Sequence, residues 1–161
     1  MITLVRVDNR LIHGQVVEAW LPHLKVARVA VADDEAAYNP LIRAAMALAV
    51  QPSVEVVIQP LREFNFERIT RDDVRTLVLV RDVKDALQAK EQGLKLSRLN
   101  LGNVHFATGR RQVSASVFLS QEELDQLKLL AQEGVAVDAR GVPSEKPVSF
   151  AEMAERFARG S

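Results

Sequence analysis

One histidine in this chain follows two arginines and precedes a glycine, in the run Val5 to Val16 that reads VRVDNRLIHGQV. An imidazole at His13, cations at Arg6 and Arg10, and a backbone freed by Gly14 to approach a ligand together suit a phosphoryl group. Arginine is the better phosphate clamp, because its planar fork donates paired hydrogen bonds and stays charged. At an effective dielectric of ~20 a close charge pair is worth about 4 kcal/mol before desolvation, against about 0.3–1 kcal/mol for a helix N-terminus. The arginines are therefore expected to dominate phosphate binding. Neutral imidazole is also a competent nucleophile, so His13 can carry the group covalently as well as face it. Asp8 is placed to accept from the other ring nitrogen and fix the tautomer, although a salt bridge to Arg10 competes for it. Arg6 shares a strand face with Asp8, and periodicity leaves open whether it points up at the loop or down along the sheet.

The elements around that run have to hold it still. Ile2 to Val7 predicts a buried strand, and Val16, Val17, Trp20, Leu21 and Leu24 recur at helical spacing, so His13 falls on a strand-to-helix turn with a helix from about Gly14 to Leu24. Further apolar strands are expected at Ala27 to Ala32, Val54 to Ile58, Arg75 to Val80, Leu99 to Leu101 and Val135 to Ala139, and an alternating one at Arg111 to Phe118. Between them lie a helix over Tyr38 to Val50, with Asn39 as N-cap and Pro40 at its first position, a weak or broken helix at Leu61 to Ile69, and a helix capped by Asp82 and closed by Gly93. Ser120 with Glu123, and Ser149 with Glu152, are capping-box pairs that open two more. This alternation predicts an α/β fold, a three-layer open and mostly parallel sheet of about seven strands with helices on both faces, its ligands at the carboxyl ends of the strands.

Composition narrows the chemistry. The 161 residues suit one domain spanning 1–161, and 21 basic against 21 acidic residues give no global attraction to nucleic acid. The chain has no cysteine, which excludes disulfides, thiolate metal sites and a thiol nucleophile. No secretory signal is legible and no apolar run is long enough to span a bilayer, so a cytoplasmic location is expected. Of the other histidines, His23 reads as a helix-end residue, and His105 lies in the polar loop Gly102 to Gly109, where a site role competes with a bland surface one. The triplet Asp33-Asp34-Glu35 invites magnesium, but acids at a strand end also solvate loops and open helices, and no metal or other cofactor is assigned. A receiver-type aspartate relay lacks its residues at Asn9, Gln59 and Asn100-Leu101, and no GxGxxG or GxxxxGK[ST] run supports a nucleotide site.

The segment Arg6 to Val16 closely resembles the active-site segment of the mannose/fructose/sorbose family IIB proteins of the bacterial phosphoenolpyruvate-dependent sugar phosphotransferase system. The likeness continues through Val31 to Glu35 with Asn39 and Arg43, through Leu99 to Gly102, Arg110 to Gln112 and Ser116, and through Gly134-Val135 and Val142 to Ser144. The resemblance implies that His13 takes a phosphoryl group from a histidine of a IIA partner and gives it to a sugar bound by membrane IIC and IID partners, the chain lying peripherally on that permease. Arg6 and Arg10 match the arginines beside that histidine, Gly14 completes the phosphate site, and Asp8, Gln15, Asp33, Gly102 and His105 are the candidates for supporting roles. A regulatory module, signalling its phosphorylation state without transport, would carry the same loop. The chain departs from the family pattern at Asn9, where a second aspartate is common, and at Asn103, where a glycine is. The first loses a negative charge near the loop, and the second alters the wall facing His13 or the partner surface. A homo-oligomer is the remaining open question, since apolar residues near Val113 and on the terminal helix can pack internally or against a second copy.

Overall fold

A computed structural model describes residues 1–160 of the chain. Its centre is a seven-stranded sheet in the order β3-β2-β4-β1-β5-β8-β9. These strands are β1 (Ile2–Asp8), β2 (Arg28–Ala32), β3 (Glu55–Gln59), β4 (Thr76–Val80), β5 (Arg98–Asn103), β8 (Ala136–Ala139) and β9 (Val148–Ser149). All pairings are parallel except that of β9 with β8. β2 and β4 are buried at every position, as expected of unalternating β-branched runs covered on both faces.

Helices cover both faces, each over its own apolar core. On one face a π-helical turn (Val16–Trp20) and α1 (Leu21–Leu24) bury Val16, Trp20 and Leu24 against Leu4, Val29 and Leu77. α2 (Asp34–Tyr38) and α3 (Pro40–Ala49) lie on this side too, contributing Ala36, Ile42 and Met46. On the other face α4 (Phe66–Arg71), α5 (Val83–Glu91), α6 (Gln121–Gln132) and α7 (Phe150–Arg159) bury Phe66, Ala86, Leu127 and Met153 against Val5, Val78 and Leu99. The connection leaving β1 covers one face and the one leaving its neighbour β4 covers the other. A crevice therefore opens at the carboxyl ends of β1 and β4, the switch point at which such sheets bind ligands.

Local signals account for most boundaries. Asn39 accepts from the amides of Leu41 and Ile42 with Pro40 at the first helical position, and Asp82 accepts from Asp85. Ser120 and Glu123 form the full capping box, whereas Ser149 accepts from the Glu152 amide. Gly93 closes the loop after α5 at φ +104°. The expected helix over Leu61 to Ile69 is broken, a 3₁₀ turn at Leu61–Glu63 followed by α4.

Two expectations change. The alternating run Arg111 to Phe118 is not a strand of the main sheet but a separate antiparallel hairpin, β6 (Arg111–Ser114) and β7 (Val117–Leu119). A turn at Ala115-Ser116 interrupts a pattern whose period survives the reversal, so Val113 and Val117 are buried while Ala115 is exposed. The seventh sheet strand is the short β9, for which no strand was expected, immediately ahead of the helix that Ser149 caps. The acidic triplet opens a helix, one of the readings left open for it: Asp33 caps α2 by accepting from the Ala36 amide, and Asp34 and Glu35 lie in the first turn. Val113, Met153 and Phe157 pack within the chain. Exposed apolar side chains remain on α3, which buries no residue and exposes Leu41 and Leu48 by 82% and 86%, and singly at Tyr38, Phe106 and Leu129.

Candidate functional site

The loop after β1 is pinned from below. Leu11 donates its amide to the Asp8 carbonyl at 3.0 Å and adopts φ +57°, a left-handed conformation that costs a non-glycine residue about 1–2 kcal/mol. Its side chain is wholly buried among Ile12, Val16 and Trp20, and that burial offsets the strain. The next two residues bring His13 back over the end of β1 before the helical segment opens at Gly14.

His13 Nε2 lies 2.7 Å from Oδ2 of Asp8. An ionised carboxylate can only accept, so Nε2 carries the proton and Nδ1 is left with its lone pair. Among the described residues nothing hydrogen-bonds to Nδ1, and the side chain is 13% exposed. Asp8 itself is fully buried. Burial alone would raise its pKa, but the hydrogen bond from His13, the charge of Arg6 and the Arg10 backbone amide outweigh that, and the carboxyl sits below the usual aspartate value.

Arg6 is the principal correction to the sequence reading. Its side chain is on the same face as Asp8 but is fully buried, and all five of its N–H bonds are taken. Nε and Nη2 donate to Asp8 at 3.3 and 3.1 Å, Nη1 donates to Asn100 Oδ1 at 2.6 Å and to the Arg140 carbonyl at 2.9 Å, and Nη2 also reaches the Gly141 carbonyl at 3.0 Å. The indole of Trp20 covers the guanidinium, 5.0 Å from Cζ to ring centroid, and donates Nε1–H to the same Gly141 carbonyl. No donor remains for a phosphate, so Arg6 holds Asp8, which holds His13. Gly102 completes this floor: a Cβ there would stand 2.0 Å from Arg6 Cζ.

The exposed cation beside His13 is Arg10, whose Nη2 makes one long bond of 3.3 Å to Gln15 Oε1. Gly14 and Gln15 are exposed, and no side chain caps the start of the helical segment. An exposed guanidinium and first-turn amides free of any side-chain cap are what an arriving oxyanion would meet.

Asp33 and His105 stand apart from the imidazole. Asp33 holds Arg81 through both carboxylate oxygens at 3.0 and 2.7 Å, and Arg81 donates its remaining terminal nitrogen to the Asn9 carbonyl at 3.1 Å. With its oxygens committed to Arg81 and the α2 cap, Asp33 braces the loop. Sequence reading passed over Arg81, although its place directly after the apolar run Leu77 to Val80 of β4 marks it as a carboxyl-edge side chain. His105 is exposed and lines a groove of about 470 Å³ together with Asn9, Arg81, Lys84 and Arg110, and no hydrogen bond joins it to His13. His23 is exposed at the helix end against the edge of Trp20, as expected.

Comparison with known proteins places this site in a family. The model of the PTS system sorbose subfamily IIB component matches residues 2–159. The chain belongs to that family. An N-acetylgalactosamine-specific phosphotransferase enzyme IIB component 2 of Escherichia coli K12 is 30% identical over 151 residues, covering 92% of this chain and 96% of that protein. The IIB domain of the sorbose permease of Klebsiella pneumoniae superposes with a TM-score of 0.85 at 26% identity, covering 96% of each chain. The mannose-specific EIIAB component of E. coli K12 is 26% identical over 161 residues, a match that covers 98% of this chain but about half, 49%, of that longer protein. This IIB chain is thus a transferase component of a sugar phosphotransferase system, and a phosphoryl-transfer role fits it. Among the described residues no helix is long and apolar enough to cross a membrane.

Proposed function

We propose that this IIB chain, acting as one domain over residues 1–161, carries a phosphoryl group on Nδ1 of His13 between a IIA partner and a sugar held by IIC and IID partners. The observation that carries the reading is the 2.7 Å contact of Nε2 with a buried, arginine-braced Asp8, which leaves Nδ1 as the one ring nitrogen with a free lone pair. In the first step that lone pair attacks phosphorus on the donor histidine, a new N–P bond forms, and the donor's N–P bond breaks to leave a neutral imidazole. His13 keeps its Nε2 proton and becomes cationic, and Asp8 balances that charge. In the second step a sugar hydroxyl oxygen attacks phosphorus, its proton passes to a base of the permease, and the pair of electrons in the N–P bond returns to Nδ1. Arg10, the Gly14 and Gln15 amides and the start of the helical segment neutralise the phosphoryl oxygens. The chain turns over sugar only with its membrane partners, and docks on them from the cytoplasmic side. The EIIAB name of the mannose relative, with IIA and IIB in one polypeptide, supports a IIA donor.

The test is transfer from phosphoenolpyruvate through the general phosphotransfer proteins and the cognate IIA. His13 acquires acid-labile phosphate, located by mass spectrometry, and His13→Ala acquires none. Labelling that persists in that variant would overturn the assignment.

A further inference from the structure

β5 carries an irregularity that changes what faces the Asp8 carboxylate. Val7 pairs with Leu101, but the next residue, Asp8, pairs with Asn103, so Gly102 is the extra residue of a bulge. The bulge places Asn103 opposite Asp8, and its Nδ2 donates to Oδ2 of Asp8 at 3.0 Å. The backbone carbonyl of Asn103 fixes the same junction by accepting from the Asn9 amide at 2.9 Å.

The load on the two Asp8 oxygens is uneven. Oδ1 accepts one amide, that of Arg10, at 2.9 Å. Oδ2 accepts from His13 at 2.7 Å, from Asn103 at 3.0 Å, and from Arg6 at 3.1 and 3.3 Å. A carboxylate offers about four lone-pair directions, roughly two on each oxygen, so four donors on Oδ2 compete for it. The Arg6 donors are fixed by their other partners, which leaves Asn103 as the neutral competitor of the imidazole.

We propose that Asn103 is a positioning residue that weakens the hold of Asp8 on His13 and so keeps the phosphorylated imidazole ready to give its group away. The proposal rests on the reading of His13 as phosphoacceptor. Phosphorylation makes the ring cationic and its Nε2–H a stronger donor, so the stability of the phosphorylated state depends on how much negative charge Oδ2 can still offer. Each additional donor on that oxygen lowers the gain. Asn103 thereby trades lifetime of the phosphorylated state for ease of onward transfer, without touching the phosphoryl group.

The experiment uses the full chain with potassium phosphoramidate as phosphodonor, in wild type, Asn103→Ala and Asn103→Gly, the last fitting a bulge if alanine does not. Intact-mass measurement follows the decay of the phosphorylated form, and proton NMR of the unphosphorylated form follows the His13 Nε2–H resonance. Loss of a competitor worth a typical neutral hydrogen bond lengthens the half-life by about two- to tenfold and moves the resonance downfield as the bond to Asp8 shortens. A half-life that is unchanged or shorter, or a resonance that stays put or moves upfield, refutes the proposal, and a merely structural Asn103 would lower the melting temperature without moving that resonance. A wild type that takes no phosphate on His13 from either phosphoramidate or the phosphoenolpyruvate relay refutes the phosphoacceptor reading itself, and this proposal with it. A phosphorylated wild type beside an unaltered variant refutes this proposal alone.

Discussion

Replacing Arg6 by lysine separates a buried brace from a phosphate clamp. The guanidinium makes five hydrogen bonds, two of them to the Asp8 carboxylate, one to Asn100 and two to the carbonyls of Arg140 and Gly141. An ammonium has three donors, so at least two bonds are lost. Hydrogen bonds that involve a charged group are worth about 1.5–3 kcal/mol each, which puts the cost at about 3–6 kcal/mol. That is a large share of the 5–15 kcal/mol typical of a folded domain. With a urea slope of about 2 kcal/mol/M, the unfolding midpoint moves down by about 1.5–3 M. Urea titration by circular dichroism at 15 °C measures it, alongside phosphoryl transfer from IIA in the absence of denaturant. The variant that remains folded keeps Arg10 and hence its affinity for the phosphorylated donor, while the rate falls because Asp8 no longer orients His13. A midpoint unchanged from wild type together with a raised KM for the donor would refute the argument, since it would mean that Arg6 reaches the phosphoryl group.

Arg10→Ala is expected to show the converse, stability within about 0.5 kcal/mol of wild type and transfer at least tenfold slower, read by the same two assays. Arg81→Ala removes the bridge from Asp33 to the Asn9 carbonyl and costs about 1–3 kcal/mol in urea unfolding, with slower transfer because the His13 loop loses that brace. Asp85 stands near Asp82, Asp33 and Asp34, and burial first, then those acids, push its carboxyl up to about 6. Its folded pKa exceeds the unfolded one, so stability is greatest below about pH 4 as far as this group is concerned, and falls as pH rises through 6. Asp85→Asn therefore stabilises at pH 7 by about 1 kcal/mol once solvent screening of this half-exposed group is allowed for, and the gain disappears at pH 4 in paired urea titrations. Leu11→Ala empties a fully buried position and lowers stability by about 2–5 kcal/mol in the same titration.

The scaffold was legible wherever the signal is local. Asn39 with Pro40, Asp82, and Ser120 with Glu123 announce helix starts through contacts no more than three residues away, and the structure contains each of them. The strand-to-helix turn that carries His13 was equally readable, because an apolar run gives way to helical spacing across it. What sequence periodicity does not hold is the identity of the covering layer. Arg6 and Asp8 share a face by alternation alone, but whether that face meets solvent or Trp20 depends on helix packing, so a buried brace read as a clamp. Arg81 was missed because its relation to Asn9 spans 72 residues and exists only once β4 lies beside β1. The hairpin of β6 and β7 kept the period of one longer strand through its turn, and the left-handed Leu11 has no side-chain signature at all.

The closeness of Gly102 to Arg6 bears on how such a site can change over time. A methyl group at position 102 would occupy the space of the guanidinium, and that guanidinium cannot swing aside without abandoning five partners. A side chain gained at 102 is therefore harmful while Arg6 is present, and the loss of Arg6 opens a void that position 102 could then fill. The two residues form one packing unit: a change at 102 alone collides with the guanidinium, and loss of Arg6 alone leaves Asp8 without its brace. A chain that keeps this arginine where it lies must keep the glycine, by sterics alone.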